Sequence, residues 1–465
     1  MKNSIKKVLS VSLAAVMLAG LGTSCGKGGA GETRKTEDGK IIVKMWSDVN
    51  QDSTPEAKEE FEIKKQMLAE KFPEYQIEFI ERSAGHDYRA EYDKDLMAGD
   101  APDVFTGFSY TDIPTRMNDG SVADITELVE NWQLKKDGVV IDTFDEAISK
   151  DGKWYAIPRD AYVQANLYNV KELAARGYDV ANLPETWEEF AAMGEKVADR
   201  DNGKFGYELM GMDWCAWPFT AWVWSAGGEM VRENGDGTYT IAFNEEPGVE
   251  AAKFLNDMIY KHKMTQLDYL CDLKESKTHM QNGSSVSSFN TIADVVNLES
   301  RETYGITPDD YLMTTLPVKD SSITRPALAG GEVITFNPTS SPETLKAAFD
   351  VITYLWYDEE YLIQAWEKQA EKGNLDMHIP ARKDLQAKKF EIYNINEDNI
   401  KAIAEMQENS IPEPYCPHWT DVKSELVVPL QAIFAEPMEK DQIKTLLDEC
   451  ADKLYSTYSD TFVKK

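Results

Sequence analysis

Ile41-Ile42-Val43-Lys44-Met45-Trp46 runs into Ser47-Asp48-Val49-Asn50, and Thr54-Pro55 follows. The first six residues are a β-branched run of the kind that forms a strand. The polar tetrapeptide ends it. Thr before Pro reads as a helix N-cap with proline at the first helical position, where its missing N–H has no partner to lose. That helix is expected to reach Phe72 and to stop at Pro73. Gln76-Ile77-Glu78-Phe79-Ile80 alternates as a second strand, a helix is expected from Tyr88 to Ala98, and Val104-Phe105-Thr106-Gly107 reads as a third strand. The order strand, helix, strand, helix, strand predicts a parallel, doubly wound sheet of the α/β class.

The same reading extends along the chain. Gly152 to Pro158 is a turn followed by an extended stretch, and Asn166 to Val170 is a strand. Thr186-Trp187-Glu188-Glu189 is a capping box opening a helix with Phe190, Met193 and Val197 on one face. Asn234-Gly235-Asp236-Gly237 is a turn before the strand Tyr239 to Phe243, and Pro247 starts a helix to about Lys261. Ser341-Pro342 caps another helix, whose Leu345, Ala348, Phe349, Ile352, Leu355 and Trp356 follow the 3.6-residue period. From Pro338 onward the chain is mostly helical. At 465 residues it exceeds what one core organises, so two lobes are expected.

The first residues carry an address. Lys2, Lys6 and Lys7 precede a short apolar run, Val8 to Leu21, and then the small residues Gly22-Thr23-Ser24 before Cys25. The run is too short for a spanning helix and reads as an export signal over residues 1–24. A Cys in that position resembles the lipobox of bacterial lipoproteins, in which the Cys is acylated. Gly22 departs from the pattern, where an aliphatic residue is commonest. Residues 25–40 are Gly-, Lys-, Thr- and Glu-rich and read as a flexible tether. The expected location is the outer face of the cell membrane, held by lipid on Cys25. The net charge of −32 argues against nucleic acid or an anionic lipid surface as a partner. Cys215, Cys271, Cys416 and Cys450 show no close pairing, and five scattered His give no metal-ligand spacing, so no metal site and no cofactor are expected.

Enzyme signatures are missing from the part of the chain that reads as folded: there is no H-E-x-x-H and no Walker loop, and the matches to G-x-S-x-G (Gly22 to Gly26) and G-x-G-x-x-G (Gly26 to Gly31) fall in the leader and tether, away from the strand-turn-helix that either motif needs. Gly227-Gly228-Glu229 and Gly330-Gly331-Glu332 lack the spacing that cradles phosphate. No catalytic residue is assigned. The informative feature is tryptophan placement. Trp214, Trp217, Trp222 and Trp224 crowd one segment. Sugars offer apolar C–H faces that stack on aromatic rings, and hydroxyls that charged groups hold by strong hydrogen bonds. Helical spacing assigns roughly half of these rings to packing.

Landmarks in a shared order then emerge: Met45-Trp46-Ser47-Asp48, Leu96 to Phe105, Gly120 to Thr126, Asp151 to Pro158, Leu167-Tyr168-Asn169, Leu183 to Phe190, and Trp224 to Glu229. On these the chain resembles the family 1 extracellular solute-binding proteins, the sugar-type branch that includes the maltodextrin-binding proteins. The resemblance implies two α/β lobes joined by crossing strands near Pro158–Tyr162, Ser288–Asn290 and Ala329–Glu332, with ligand in the cleft and hinge closure on binding. It implies a first lobe of residues 41–158 and 290–328 and a second of 159–289 and 329–465.

By the same resemblance the ligand-binding positions are Trp46, Asp48, Phe108, Tyr110, Asp160, Tyr162, Trp214, Asn290, Glu332 and Trp419. The hinge-acid position falls on Tyr162, so maltodextrin itself is a poor match, and Ser288-Phe289-Asn290-Thr291 stands where Gly-x-Trp is usual. Trp132, Trp154, Trp187 and Trp356 are assigned to packing. The implied function is capture of a carbohydrate, an oligosaccharide above all, for the permease subunits of an ABC importer. A secreted lipoprotein acting on carbohydrate as an enzyme, or a binding protein for a non-sugar solute, stays open at this point.

Overall fold

The computed structural model describes residues 31–81 and 88–465. Cys25 and the leader lie outside the described residues. The opening elements form where expected: β1 (Ile41–Trp46), α1 (Pro55–Lys71), β2 (Tyr75–Ile80), α2 (Tyr88–Ala98) and β3 (Val104–Ser109). Thr54 caps α1 by accepting from the Ala57 amide, and Pro55 occupies the first turn. β1 and β2 are parallel, Ile41 opposite Tyr75 through Trp46 opposite Ile80.

β3 departs from a purely parallel sheet. It pairs antiparallel with Glu332–Phe336, which also pairs with Ala156–Pro158. Its junction to β1 runs through Asp103. The Asp103 amide donates to Lys44 O at 2.9 Å, and the Lys44 amide donates to Asp103 Oδ2 at 2.7 Å. That carboxylate is fully buried and also accepts from Arg34 and Ser340. A buried charge persists only when paired and hydrogen-bonded, so the Pro102-Asp103-Val104-Phe105 landmark is a sheet joint.

In the second lobe Asn166–Asn169 lies between Ser287–Ser288 and Tyr311–Thr314. Asp160–Gln164 lies between Ile379–Pro380 and Ala327–Gly330. Four helices, Ala216–Ser225, Glu246–Tyr260, Trp419–Ala435 and Lys440–Thr457, pack together. Cys215, Cys271, Cys416 and Cys450 are buried free thiols.

These pairings correct the expected division of the C-terminal half in two stretches, while the helices Trp419–Ala435 and Lys440–Thr457 stay in the second lobe. Residues 290–328 contribute Tyr311–Thr314 to the second lobe's sheet. Glu332–Phe336 returns to the first lobe, and the helix Pro342–Tyr357 packs on β1. Val43, Met45, Ile334, Phe336, Ala347, Phe349 and Ile352 form one apolar cluster there. The chain therefore crosses at Pro158-Arg159-Asp160 and at Gly330-Gly331-Glu332. The third expected crossing, Ser288–Asn290, stays inside the second lobe. The third passage lies instead near Ile379–Lys383, where Ile379 and Pro380 pair with Ala161 and Asp160, and the Ile141 and Lys383 amides bond across to Ala381 and Val139.

Gly330 and Gly331 have a steric reason. A Cβ on Gly330 would lie 2.0 Å from the Tyr162 ring, and one on Gly331 would lie 2.5 Å from the Asp160 carbonyl. Gly330→Ala is expected to destabilise the chain by roughly 1–3 kcal/mol through overpacking. Adding Tyr162→Leu should recover part of that loss in urea unfolding. Simple additivity of the two losses would contradict the contact.

Candidate functional site

β1 ends in a turn that Ser47 closes: its hydroxyl donates to Val49 O at 2.6 Å and accepts from the Val49 amide at 3.1 Å. The turn throws Asp48 outward, 59% of its side chain exposed, where Lys64 of α1 reaches it at 2.5 Å. Trp46 sits edge-on to Phe105 at 5.1 Å and to Tyr92 at 6.0 Å. A crevice beyond the carboxyl end of parallel strands is where open α/β sheets bind ligands. A cavity of about 200 Å³ opens here. Trp46, Asp48, Tyr88, Arg159, Glu332 and Trp356 are among the residues that line it.

Arg159 organises its floor. The guanidinium pairs with Glu332 and with Asp160 at 3.0 Å, donates to Thr106 O at 2.8 Å, and lies 5.0 Å over the Trp356 ring. Burial opposes its charge, but Asp160 and Glu332 outweigh burial and raise its pKa. Burial raises the Glu332 carboxyl above the ordinary glutamate value, helped by the Asp160 charge and opposed by Arg159. Asp160 also accepts from the Glu332 amide at 3.2 Å.

Tyr162 is two residues further along the same strand and so shares a face with Asp160. From it an aromatic series leads into the second lobe: Tyr162 to Trp217 at 6.3 Å, and Trp217 to Trp214 at 6.1 Å. Trp214 precedes the helix Ala216–Ser225 and is 55% exposed. Trp222 and Trp224 are core, and Trp217 is half-buried against Phe289. His378 meets Tyr162 from the other side at 5.8 Å. Burial opposes charge on His378, yet its hydrogen bond to Asp376 and the Asp160 charge raise its pKa.

The structure thus brings Trp46, Asp48, Asp160, Glu332 and Tyr162 to one junction, with Trp214 exposed on the second lobe. Four expected positions are corrected, since all are fully buried and present no surface to a ligand. Phe108 packs under the Arg116 guanidinium, 3.5 Å from its ring centroid. Tyr110 stacks on Phe144 at 4.1 Å, donates to Ala329 O and accepts from the Glu413 amide. Asn290 donates to Ser276 and Ser288 hydroxyls. Trp419 donates to Glu413 at 3.0 Å inside the helical core. Sequence reasoning missed Arg159 and Trp356. An arginine followed by an aspartate directly after the apolar Ala156-Ile157-Pro158 of the crossing stretch was a usable signal; Trp356 was hidden within its helix's apolar period.

Residues 54–298, more than half the chain, match the family described as bacterial extracellular solute-binding protein. The chain belongs to that family. It is 28% identical over 180 residues to a maltotriose-binding protein of Pyrococcus abyssi (strain GE5 / Orsay), a match covering 37% of this chain and 35% of that protein. The match therefore spans about a third of that relative's length. Among solved structures, a solute-binding protein of an ABC transporter from Thermotoga lettingae TMO, bound with α-D-tagatose, superposes with a TM-score of 0.69. The two share 18% identity over 89% of this chain and 99% of that one. A maltose-bound protein of T. maritima gives 0.68 at 20% identity, covering 89% and 99%. Family members of this architecture share the two-lobed fold described above.

The placement of the tryptophans yields a test. Trp214→Ala should leave the unfolding free energy within about 0.5 kcal/mol of wild type, as exposed substitutions do. Trp419→Ala should cost about 3–5 kcal/mol as a fully buried ring. Chemical denaturation reads both, and equal losses would contradict the division.

Proposed function

We propose that this protein captures a carbohydrate, an oligosaccharide rather than a single sugar, between its two lobes and delivers it to the permease of an ABC importer. The observation that carries the reading is the cavity at the crossings. It joins the faces of Trp46 and Trp356 to the charged groups of Asp48, Arg159 and Glu332. Flat apolar rings beside charged hydrogen-bonding groups match the two sides of a sugar. At about 200 Å³ the cavity is smaller than the roughly 300–1,000 Å³ usual for small-molecule sites. Half a site, completed by Trp214 on closure, accounts for that size. Trp46, Asp48, Asp160, Tyr162, Trp214 and Glu332 are the proposed ligand surface, with Arg159 and Trp356 added. The maltotriose-binding relative supports the same class of ligand. Lipid on Cys25 is proposed to hold the protein at the outer face of the cell membrane; the expected tether is shorter than residues 25–40, because the Gly31 amide donates to Thr339 O at 2.9 Å and Arg34 pairs with Asp103, which fastens residues 31–40 to the first lobe.

The test is calorimetric titration and thermal shift against malto-oligosaccharides of increasing length, other oligosaccharides, and non-sugar solutes. A ligand that binds the native state raises the melting temperature by mass action. An oligosaccharide is expected to shift it. Asp48→Ala and Trp214→Ala, both at exposed positions, should each weaken binding by roughly 1–3 kcal/mol without loss of fold. A shift by a non-sugar solute and by no saccharide would sink the carbohydrate reading.

A further inference from the structure

The second lobe holds a cluster of side chains that the cleft does not use. Glu208, Cys271 and His279 each offer one ligand atom, and these atoms lie within 4.8 Å of one another. They arrive from separate places. Glu208 follows the buried Tyr207, Cys271 precedes the Asp272 cap, and His279 lies on the helix Leu273–Gln281 that Asp272 opens. Glu208 is 1% exposed and Cys271 3%, while 34% of the His279 side chain is open to solvent. The cluster is closed from below and reachable past the imidazole.

The hydrogen bonding is lopsided. Cys271 Sγ donates to Glu208 Oε1 at 3.2 Å, and His279 Nδ1 lies 2.8 Å from that same oxygen. Glu208 Oε2 is buried with no hydrogen-bond partner among the described residues. A buried carboxylate oxygen left without a partner calls for an explanation, and an ion is one. Thiolate, imidazole and carboxylate together are the donor set of zinc and its neighbours. Tetrahedral bonds of about 2.3 Å to sulfur and about 2.0–2.2 Å to nitrogen and oxygen place donor atoms roughly 3.3–3.6 Å apart, within the observed spread. Scattered His argued against a metal in the sequence; one His suffices when a Cys and a Glu reach it through the fold.

We propose that Glu208, Cys271 and His279 form a binding site for a divalent transition-metal ion of the zinc type, with water at the fourth position on the open side of His279. Binding is ligand exchange without redox change. The thiol proton, and any proton on the coordinating imidazole nitrogen, leave to solvent. Sulfur, nitrogen and carboxylate oxygen each donate an electron pair to the ion. The site is also placed to brace a loop. Cys271 O accepts from the Gly211 and Met212 amides at 3.2 and 3.3 Å, just ahead of Trp214.

Cobalt(II) titration of the purified, reduced, metal-free chain tests this. One equivalent is expected to bring up a thiolate-to-cobalt charge-transfer band that zinc(II) then abolishes. Cys271→Ser should remove the band and Cys450→Ser should keep it. His279→Gln, at a partly exposed position and so safe for folding if Cys271→Ser is not, should weaken binding about tenfold or more, since even outer-shell losses cost 10–100-fold. Cobalt bound without the band signals surface carboxylates only and overturns the site. So does a band whose affinity is unchanged in His279→Gln.

Discussion

The guanidinium of Arg159 is the interaction on which the junction depends. It sits where the chain leaves the first lobe, and it holds Glu332 at the point where the chain comes back. A charge at a half-buried position is tolerated only when its donors are filled. Here Asp160, Glu332 and the Thr106 carbonyl fill them, and Trp356 covers one face. The two passages are thereby tied to each other and to the middle of β3. Gly330 and Gly331 permit this closeness because their backbone lies where a side chain would strike Tyr162 or Asp160.

The same groups face the cavity, which links packing to the proposed function. Glu332 is held below full ionic freedom by burial, and Arg159 is held charged by two carboxylates. Such a pair is already ordered before any ligand arrives, so on the proposed function the hydroxyl groups of a sugar would meet fixed partners rather than mobile ones. The lobes contribute unequally. The first offers Trp46, Asp48 and Trp356 around one cavity, whereas the second offers an exposed ring, Trp214, at the end of an aromatic series. Hinge closure needs contacts that exist only when both sides meet the ligand, and on the proposed function this division would provide them.

Much of the fold was legible because local signals agreed. The strand β1, the Thr54-Pro55 cap and the Ser341-Pro342 helix all formed where their residues indicated. What was not legible depended on long-range pairing. Nothing within residues 290–336 reveals that Tyr311–Thr314 pairs with Asn166–Asn169, or that Glu332–Phe336 pairs with β3. At the cavity, the positions of Asp48 and Trp46 could be read from their place at a strand end. Trp419, Tyr110, Phe108 and Asn290 could not, since the residue type is the same whether a ring or amide faces ligand or core. Hydrogen bonds such as Trp419 to Glu413 decide it, and they are invisible before folding.

Small-angle scattering of the purified chain, with and without a saturating oligosaccharide, tests the central claim most directly. A smaller radius of gyration is expected with ligand, and a reduced compaction when Trp214 is replaced by alanine at ligand concentrations that still saturate. A tightly bound oligosaccharide that leaves the dimensions unchanged would contradict closure of two lobes around the Arg159 junction.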